Sequence, residues 1–245
     1  MKYNACINGY DIEAEYSEEN IQEIFIPLLR KLTVMQQEKG RRILVMLAAP
    51  PGAGKSTLLD FLEYLSKNTD GVKEIQTIGM DGFHHYQDYL LSHETVRDGK
   101  TIKMVEIKGA PITFDLDALS KRVQLVASGE KCGWPTYDRN LHNPVEDTIQ
   151  IDSDIVLLEG NYLILDEDGW KDISSMADYT IFISADEDML RSRLVERKAK
   201  NTPLEAAKKF VEYSDMRNAL EVLHHSKKAD LNLEILENNE YRVIL

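Results

Sequence analysis

The sequence predicts an α/β fold, a doubly wound and mainly parallel sheet with helices on both faces, from three observations. Short, almost continuous apolar runs at Arg42 to Ala48, Ile155 to Leu158 and Tyr179 to Ile183 have the pattern of strands covered on both faces. Between them lie segments with apolar residues at three- and four-residue steps, the spacing of amphipathic helices. No repeat or low-complexity tract interrupts the alternation, as one doubly wound sheet requires.

In chain order, Lys2 to Ile7 and Tyr10 to Tyr16 flank Asn8-Gly9, a dipeptide that accepts the positive φ angles of a type I′ turn, so a hairpin opens the chain. Ser17 has the chemistry of an N-cap, and Ile21, Ile24, Phe25, Leu28, Leu29 and Leu32 then make one helix face. Pro27 lacks the N–H of an interior turn, which predicts a kink or restart. After the first apolar strand come a glycine-containing loop and Leu58, Leu59, Leu62 and Leu65 at helical spacing. A second strand is expected over Glu74 to Ile78, ending before Asp81. Residues 82–114, polar and aromatic with little periodicity, read as loop and short helix over a site. Asp115 opens a helix with Leu116, Leu119, Val123 and Val126 on one face and Gly129 at its end. Ser184-Ala185-Asp186-Glu187 and Thr202-Pro203-Leu204-Glu205 read as capping boxes. Asp230 to Leu236 and Tyr241 to Leu245, joined across Asn238-Asn239, read as a final hairpin. The expected organisation is one domain: hairpin and helix at 1–40, core at 41–185, lid and following helix at 186–225, hairpin at 226–245.

With 245 residues, 43% hydrophobic and 29% charged, the chain has enough apolar material for one substantial core. The formal net charge of −13 repels a phosphate backbone, so nucleic acid is not an expected partner. A small anion can still be held where Lys, Arg and backbone N–H groups cluster. Cys6 and Cys132 show no paired spacing and read as inert and buried in a reducing compartment. No apolar run is long enough to span a bilayer and the first residues lack a signal pattern, so a cytoplasmic location without membrane contact is expected.

Ala49-Pro50-Pro51-Gly52-Ala53-Gly54-Lys55-Ser56 has Walker A spacing, with alanine where the first glycine usually stands. Gly52 and Gly54 let successive N–H groups turn toward an anion, and the helix starting near Gly54 adds its dipole. Pro51, Gly52, Ala53, Gly54, Lys55, Ser56 and Thr57 are therefore the expected nucleotide contacts, with Lys55 on the β- and γ-phosphates and the Ser56 hydroxyl on Mg²⁺. Lys227-Lys228-Ala229-Asp230 has lysine where a guanine-reading element needs asparagine, which favours ATP over GTP.

Asp81, just past the second strand, is expected at the same sheet edge as this loop, where a carboxylate can take the proton of an attacking hydroxyl. A simple Asp-Gly turn is the alternative. Tyr137, Arg139 and His142 put an aromatic face, a guanidinium and an imidazole within six residues, a set suited to a polyhydroxylated ligand. His84 and His85 are adjacent and no third ligand is spaced for zinc, so substrate contact by His84 is preferred to metal binding.

These motifs, with Lys108 to Asp115 (KGAPITFD) and Leu157-Leu158-Glu159-Gly160-Asn161-Tyr162, resemble the P-loop kinases that include pantothenate kinase, uridine kinase and phosphoribulokinase. The resemblance spans about residues 42–225 and is strongest to the bacterial nucleoside/nucleotide kinase-like subgroup labelled fructose-transport kinase. It implies Asp81 as base, Glu159 as the acidic residue near Mg²⁺, and Tyr137 and His142 on the acceptor, with Phe83, His84 and Lys108 on the same side. It also implies a lid that brings Arg193 and Arg197, one turn apart, onto the transferring phosphate, a solvated basic face being the alternative; Asn218, in Asp215-Met216-Arg217-Asn218 of the second helix, is expected to reach the adenine. The acceptor region is unlike that of pantothenate kinases, and Gly82 stands where uridine kinases usually have serine. The expected partners are ATP, Mg²⁺ and a small-molecule hydroxyl acceptor, whether sugar, nucleoside or vitamin-like alcohol, with homodimerisation open. A nucleotide-binding regulator or slow NTPase switch is the competing reading; it would need no acceptor base.

Overall fold

The computed structural model describes residues 1–7 and 10–244. Strands β1 (Lys2–Ile7) and β2 (Tyr10–Glu15) pair antiparallel as expected, while the Asn8-Gly9 turn and Leu245 lie outside the described residues. The Ser17 hydroxyl caps α1 (Glu18–Asn20) by accepting from the Asn20 N–H. A π turn (Ile21–Phe25) then leads into α2 (Ile26–Lys39). The wider turn ends just before Pro27, so the missing N–H falls at a helix restart, where it costs little.

Next come β3 (Ile43–Ala48), the glycine loop, α3 (Lys55–Lys67), β4 (Gln76–Gly79), a 3₁₀ turn (Met80–Phe83) and α4 (Gln87–Ser92). The segment expected to be loop and short helix also contains a hairpin, β5 (Glu94–Arg97) and β6 (Lys100–Lys103). Its turn residues Asp98 and Gly99 have φ of 52° and 74°, the positive angles of a type I′ turn. Two 3₁₀ turns (Met104–Ile107 and Pro111–Thr113) lead to α5 (Leu116–Ala127), capped by Asp115. A second unexpected hairpin follows, β7 (Gly133–Asp138) and β8 (Asn143–Gln150), then β9 (Ile155–Gly160), α6 (Trp170–Ser174) and β10 (Tyr179–Ala185).

Helix α7 (Glu187–Ala199) is capped by Asp186, which accepts from the N–H groups of Asp188 and Met189. The capping box read on Ser184 is therefore wrong, because β10 runs through Ser184 to Ala185. Likewise α8 (Leu204–Phe210) starts after Pro203 with no side-chain cap, so Thr202 forms no box. A π turn (Val211–Asp215), α9 (Met216–His225), β11 (Leu231–Ile235) and β12 (Tyr241–Ile244) complete the chain.

The main sheet has the order β4-β9-β3-β10-β11-β12, parallel except for the edge strand β12. The last two strands pair antiparallel as the expected hairpin, and this hairpin extends the main sheet through β11. Its two faces follow directly from strand alternation. Ile43, Val45, Leu47, Ile155 and Leu157 point into the core that holds Phe25, Leu29, Leu58 and Leu62 from α2, α3 and the turn before α2. Leu44, Met46, Val156 and Leu158 point into the other, with Leu119 and Val123 of α5 and Trp170 of α6. This pattern leaves the C-terminal ends of β3, β9 and β4 side by side, which is where an open α/β sheet binds ligands.

Candidate active site

The loop from Ala49 to Ser56 leaves β3 and enters α3 with Gly52 at φ 90° and Gly54 at φ 77°, angles that a residue with a Cβ adopts only under strain. At Gly52 space is also tight, since a Cβ would lie 3.2 Å from Cγ of Leu194. No side chain caps α3, so its first N–H groups are left for a ligand. Pro51 and Ala53 are buried beneath the loop, and Thr57 is half-buried one residue beyond Ser56.

Glu159, next to last in β9, lies opposite Leu47 of β3 and Gly79 of β4. Its Oε1 accepts a hydrogen bond from the Ser56 hydroxyl at 2.6 Å, and its Oε2 lies 3.7 Å from Nζ of Lys55. Oε2 is buried and has no hydrogen-bond partner among the described residues. Burial pushes the carboxyl above its ordinary value and the charge of Asp81 adds to this, while Lys55 and the Ser56 hydroxyl oppose it. The folded chain therefore holds this proton more tightly than the unfolded chain. The resulting stability is present below the ordinary glutamate value of about 4.3 and is lost as pH rises toward the folded value. Ligand-free Glu159→Gln is thus expected to lose less stability than the parent between about pH 5 and about pH 8, read from urea midpoints. Equal losses would contradict the buried-carboxyl account.

A cleft of about 270 Å³ brings Ser56, Glu159 and Asp81 together with Tyr137 and Arg139. Asp81 sits in the 3₁₀ turn after β4 with its side chain exposed. The turn is pressed against β7: a Cβ on Gly82 would lie 2.2 Å from the Pro135 carbonyl oxygen. Gly82→Ser is accordingly expected to cost about 1–3 kcal/mol and raise the acceptor KM with ATP affinity unchanged, measured by denaturation and kinetics. A serine tolerated without either change would show that β7 does not hold the turn.

Behind Asp81, the Trp134 Nε1 donates to the Gly79 carbonyl at 2.8 Å and its ring meets Phe83 edge-on at 4.9 Å. Phe83 is 5% exposed and belongs to the core, which corrects its expected contact with substrate. His84 donates from Nδ1 to the Asp81 carbonyl at 2.9 Å if it carries that proton, and its ring lies on Phe114 and beside Tyr137. Burial holds its pKa below the ordinary histidine value, with Lys108 and Arg139 adding to this and Asp81 opposing. His85 faces elsewhere, stacked on Tyr89.

Lys108 stands 4.8 Å over the Tyr137 ring and donates to Gln87 Oε1 and the His142 carbonyl. Burial lowers its pKa. His142 takes part through that carbonyl; its side chain is exposed at a hairpin turn with φ 54° and does not line the cleft, contrary to expectation. Arg139 is exposed at the rim and has no ion-pair partner among the described residues.

Leu190 and Leu194 of α7 are buried against Gly52, so the buried face of α7 is a wall of the loop. Arg193 and Arg197 make no ion pair among the described residues, and Arg197 lies near the buried carboxyl of Asp215. Asn218 is buried on α9 and lines a different cavity from the one with Ser56, so the expected adenine contact has no support in its position.

Cleft residues that the sequence analysis did not place there include Cys6, Asp60 and Thr77. Asp60 was legible, being one helical turn beyond Ser56. Cys6 arrives from the N-terminal hairpin, which Tyr3 pins to α3 through a 2.6 Å hydrogen bond to Asp60. It is exposed, not buried as expected; Cys132 is half-buried, with its thiol pKa pushed up by burial. Among the described residues no helix is long and apolar enough to cross a membrane.

Residues 44–241 match the family described as Phosphoribulokinase / Uridine kinase family. The chain is 40% identical over 243 residues to the Escherichia coli protein YggC, described as uncharacterized, with 98% of each chain covered. It is 30% identical over 161 residues to a uridine kinase candidate of Schizosaccharomyces pombe, covering 64% of this chain and 66% of that one. Among solved structures it resembles a candidate fructose transport system kinase from Silicibacter sp.. The TM-score is 0.70 at 27% identity, covering 83% of this chain and 98% of the other.

Proposed function

The chain belongs to the phosphoribulokinase/uridine kinase family, and from that premise we propose that it moves the γ-phosphoryl group of ATP onto a hydroxyl of a small metabolite, with Asp81 as base. Membership makes it an ATP-dependent kinase with an alcohol acceptor. The observation that carries the finer reading is the single cleft shared by Ser56, Glu159 and Asp81.

In this reading the N–H groups from Gly52 to Ser56 cradle the phosphates, and Lys55 leaves Glu159 for the β- and γ-phosphates. The Ser56 hydroxyl and Glu159 fit Mg²⁺. Both offer hard oxygen donors, Oε2 is buried without a partner, and Mg²⁺ takes only one or two protein ligands beside the phosphates. Bound there, the ion would offset charge on the β- and γ-phosphate oxygens. Tyr137, Lys108, His84 and Arg139 orient the acceptor. Asp81 takes its hydroxyl proton as the new O–P bond forms and the bond to the bridging oxygen of ADP breaks. Arg193 and Arg197 reach the transferring group when the end of α7 closes, which also excludes water.

An ATP-consumption screen over sugars, nucleosides and pantothenate-like alcohols, with water as control acceptor, tests this proposal. At least one compound is expected to raise ADP formation about 100-fold or more over water and to carry the γ-phosphate. Hydrolysis that no acceptor accelerates would favour the switch reading.

A further inference from the structure

A second cavity, about 530 Å³, opens between the β5–β6 hairpin, the turn at 107–111, α6 and α9, and shares no lining residue with the cleft above. The turn separates the two: Lys108 lies over Tyr137, whereas Ile107, Ala110 and Pro111 line the second cavity. Part of its wall is apolar, with Ile112, Leu116 and Trp170 among its residues.

The polar groups that line it are unevenly satisfied. Arg97, half-buried, stands 4.8 Å from the Tyr213 ring and makes no hydrogen bond or ion pair among the described residues. The adjacent carboxylate, Asp98, is taken by Arg217 at 3.0 and 2.9 Å. Burial and the charge of Arg217 both weigh against the Arg97 cation, so an anion there would relieve both. Asn218, 6% exposed, lines the cavity, and its amide has no hydrogen bond among the described residues. The amide atoms keep some accessible surface, so they are open to a ligand in the cavity. One turn along α9 from Arg217, Glu221 faces Glu167, whose carboxyl is pushed up by burial and by the charge of Glu221. Asp168 lies beside them, and His225 holds one oxygen of Glu221 at 2.9 Å. The cavity therefore has an unpaired cation on the wall formed by β5, a carboxyl pair between α9 and the segment before α6, and on α9 an amide without a hydrogen-bond partner among the described residues.

We propose that this cavity binds a small zwitterion: an anionic group on Arg97, an ammonium group on Glu167 and Glu221, an apolar chain against Ile112 and Trp170, and a polar contact to Asn218. A plain anion would face three carboxylates, and a plain cation would leave Arg97 unpaired. A molecule that carries both charges on one hydrocarbon chain satisfies Arg97 and the carboxyl pair together.

The test is calorimetric titration of the full chain, without ATP, with 6-aminohexanoate as probe and hexanoate and hexylamine as single-charge controls. Saturable binding of the zwitterion is expected, with each control at least about tenfold weaker. Arg97→Leu should weaken it about tenfold or more and Arg97→Lys should recover part of the loss, with thermal unfolding of both variants checked against the parent. Lys55→Ala should leave it unchanged. No saturable binding, a single-charge control that binds as tightly, or a folded Arg97→Leu chain that binds like the parent would overturn the proposal. Because neither ATP nor acceptor is present, the result stands apart from the phosphotransfer reading.

Discussion

Asp81→Asn is expected to lower kcat by about 10²- to 10⁴-fold while ATP binds as before. Asparagine keeps the size and turn chemistry of aspartate, and Gly82, which fixes the turn against Pro135, is untouched. The groups placed on the triphosphate lie in the 49–57 loop and at Glu159, not at residue 81. What the variant lacks is a carboxylate, exposed at the cleft and without an ion pair among the described residues, that can accept a proton. Acceptor-dependent ADP release and a fluorescent-nucleotide titration separate the two effects. Turnover at the parent rate would remove the base assignment and leave Asp81 as a turn residue.

Lys55→Ala is expected to lower kcat/KM for ATP by about 10²- to 10³-fold, the scale of losing one preorganised charge donor at a transferring group. The damage has two sources. The phosphates lose their cation, and the buried Glu159 carboxyl loses the charge that opposes its protonation, which weakens the pair with Ser56 that suits Mg²⁺. The variant should therefore also need more Mg²⁺ for half-maximal rate, read by titrating the ion at fixed ATP. An unchanged ATP dependence would contradict the placement of Lys55.

The parallel strands were legible because burial on both faces leaves almost no polar residue in Ile43–Ala48 or Ile155–Gly160. The phosphate loop was legible because its function constrains residue types at fixed spacing. The hairpins were not. Four-residue strands such as Glu94–Arg97 and Lys100–Lys103, with no buried residue, carry no apolar alternation, although Asp98-Gly99 marked their turn. In β7–β8 the connection is set by the Asp138 carboxylate accepting from the N–H groups of Asn140 and Leu141, a local bond that periodicity does not register. Phe83 was misplaced for a geometric reason: successive residues of a 3₁₀ turn point about 120° apart, so Asp81 faces the cleft while Phe83 enters the core. Cys6 reaches the cleft through the packing of the N-terminal hairpin on α3, a tertiary contact with no local sequence signal.

The most direct test is a crystal structure of the chain with a non-hydrolysable ATP analogue, Mg²⁺ and the best acceptor from the consumption screen. The reacting hydroxyl should lie about 2.6–3.2 Å from the Asp81 carboxylate and face the γ-phosphate held by Lys55. An acceptor seated away from Asp81, with the γ-phosphate turned from the cleft, would contradict the account.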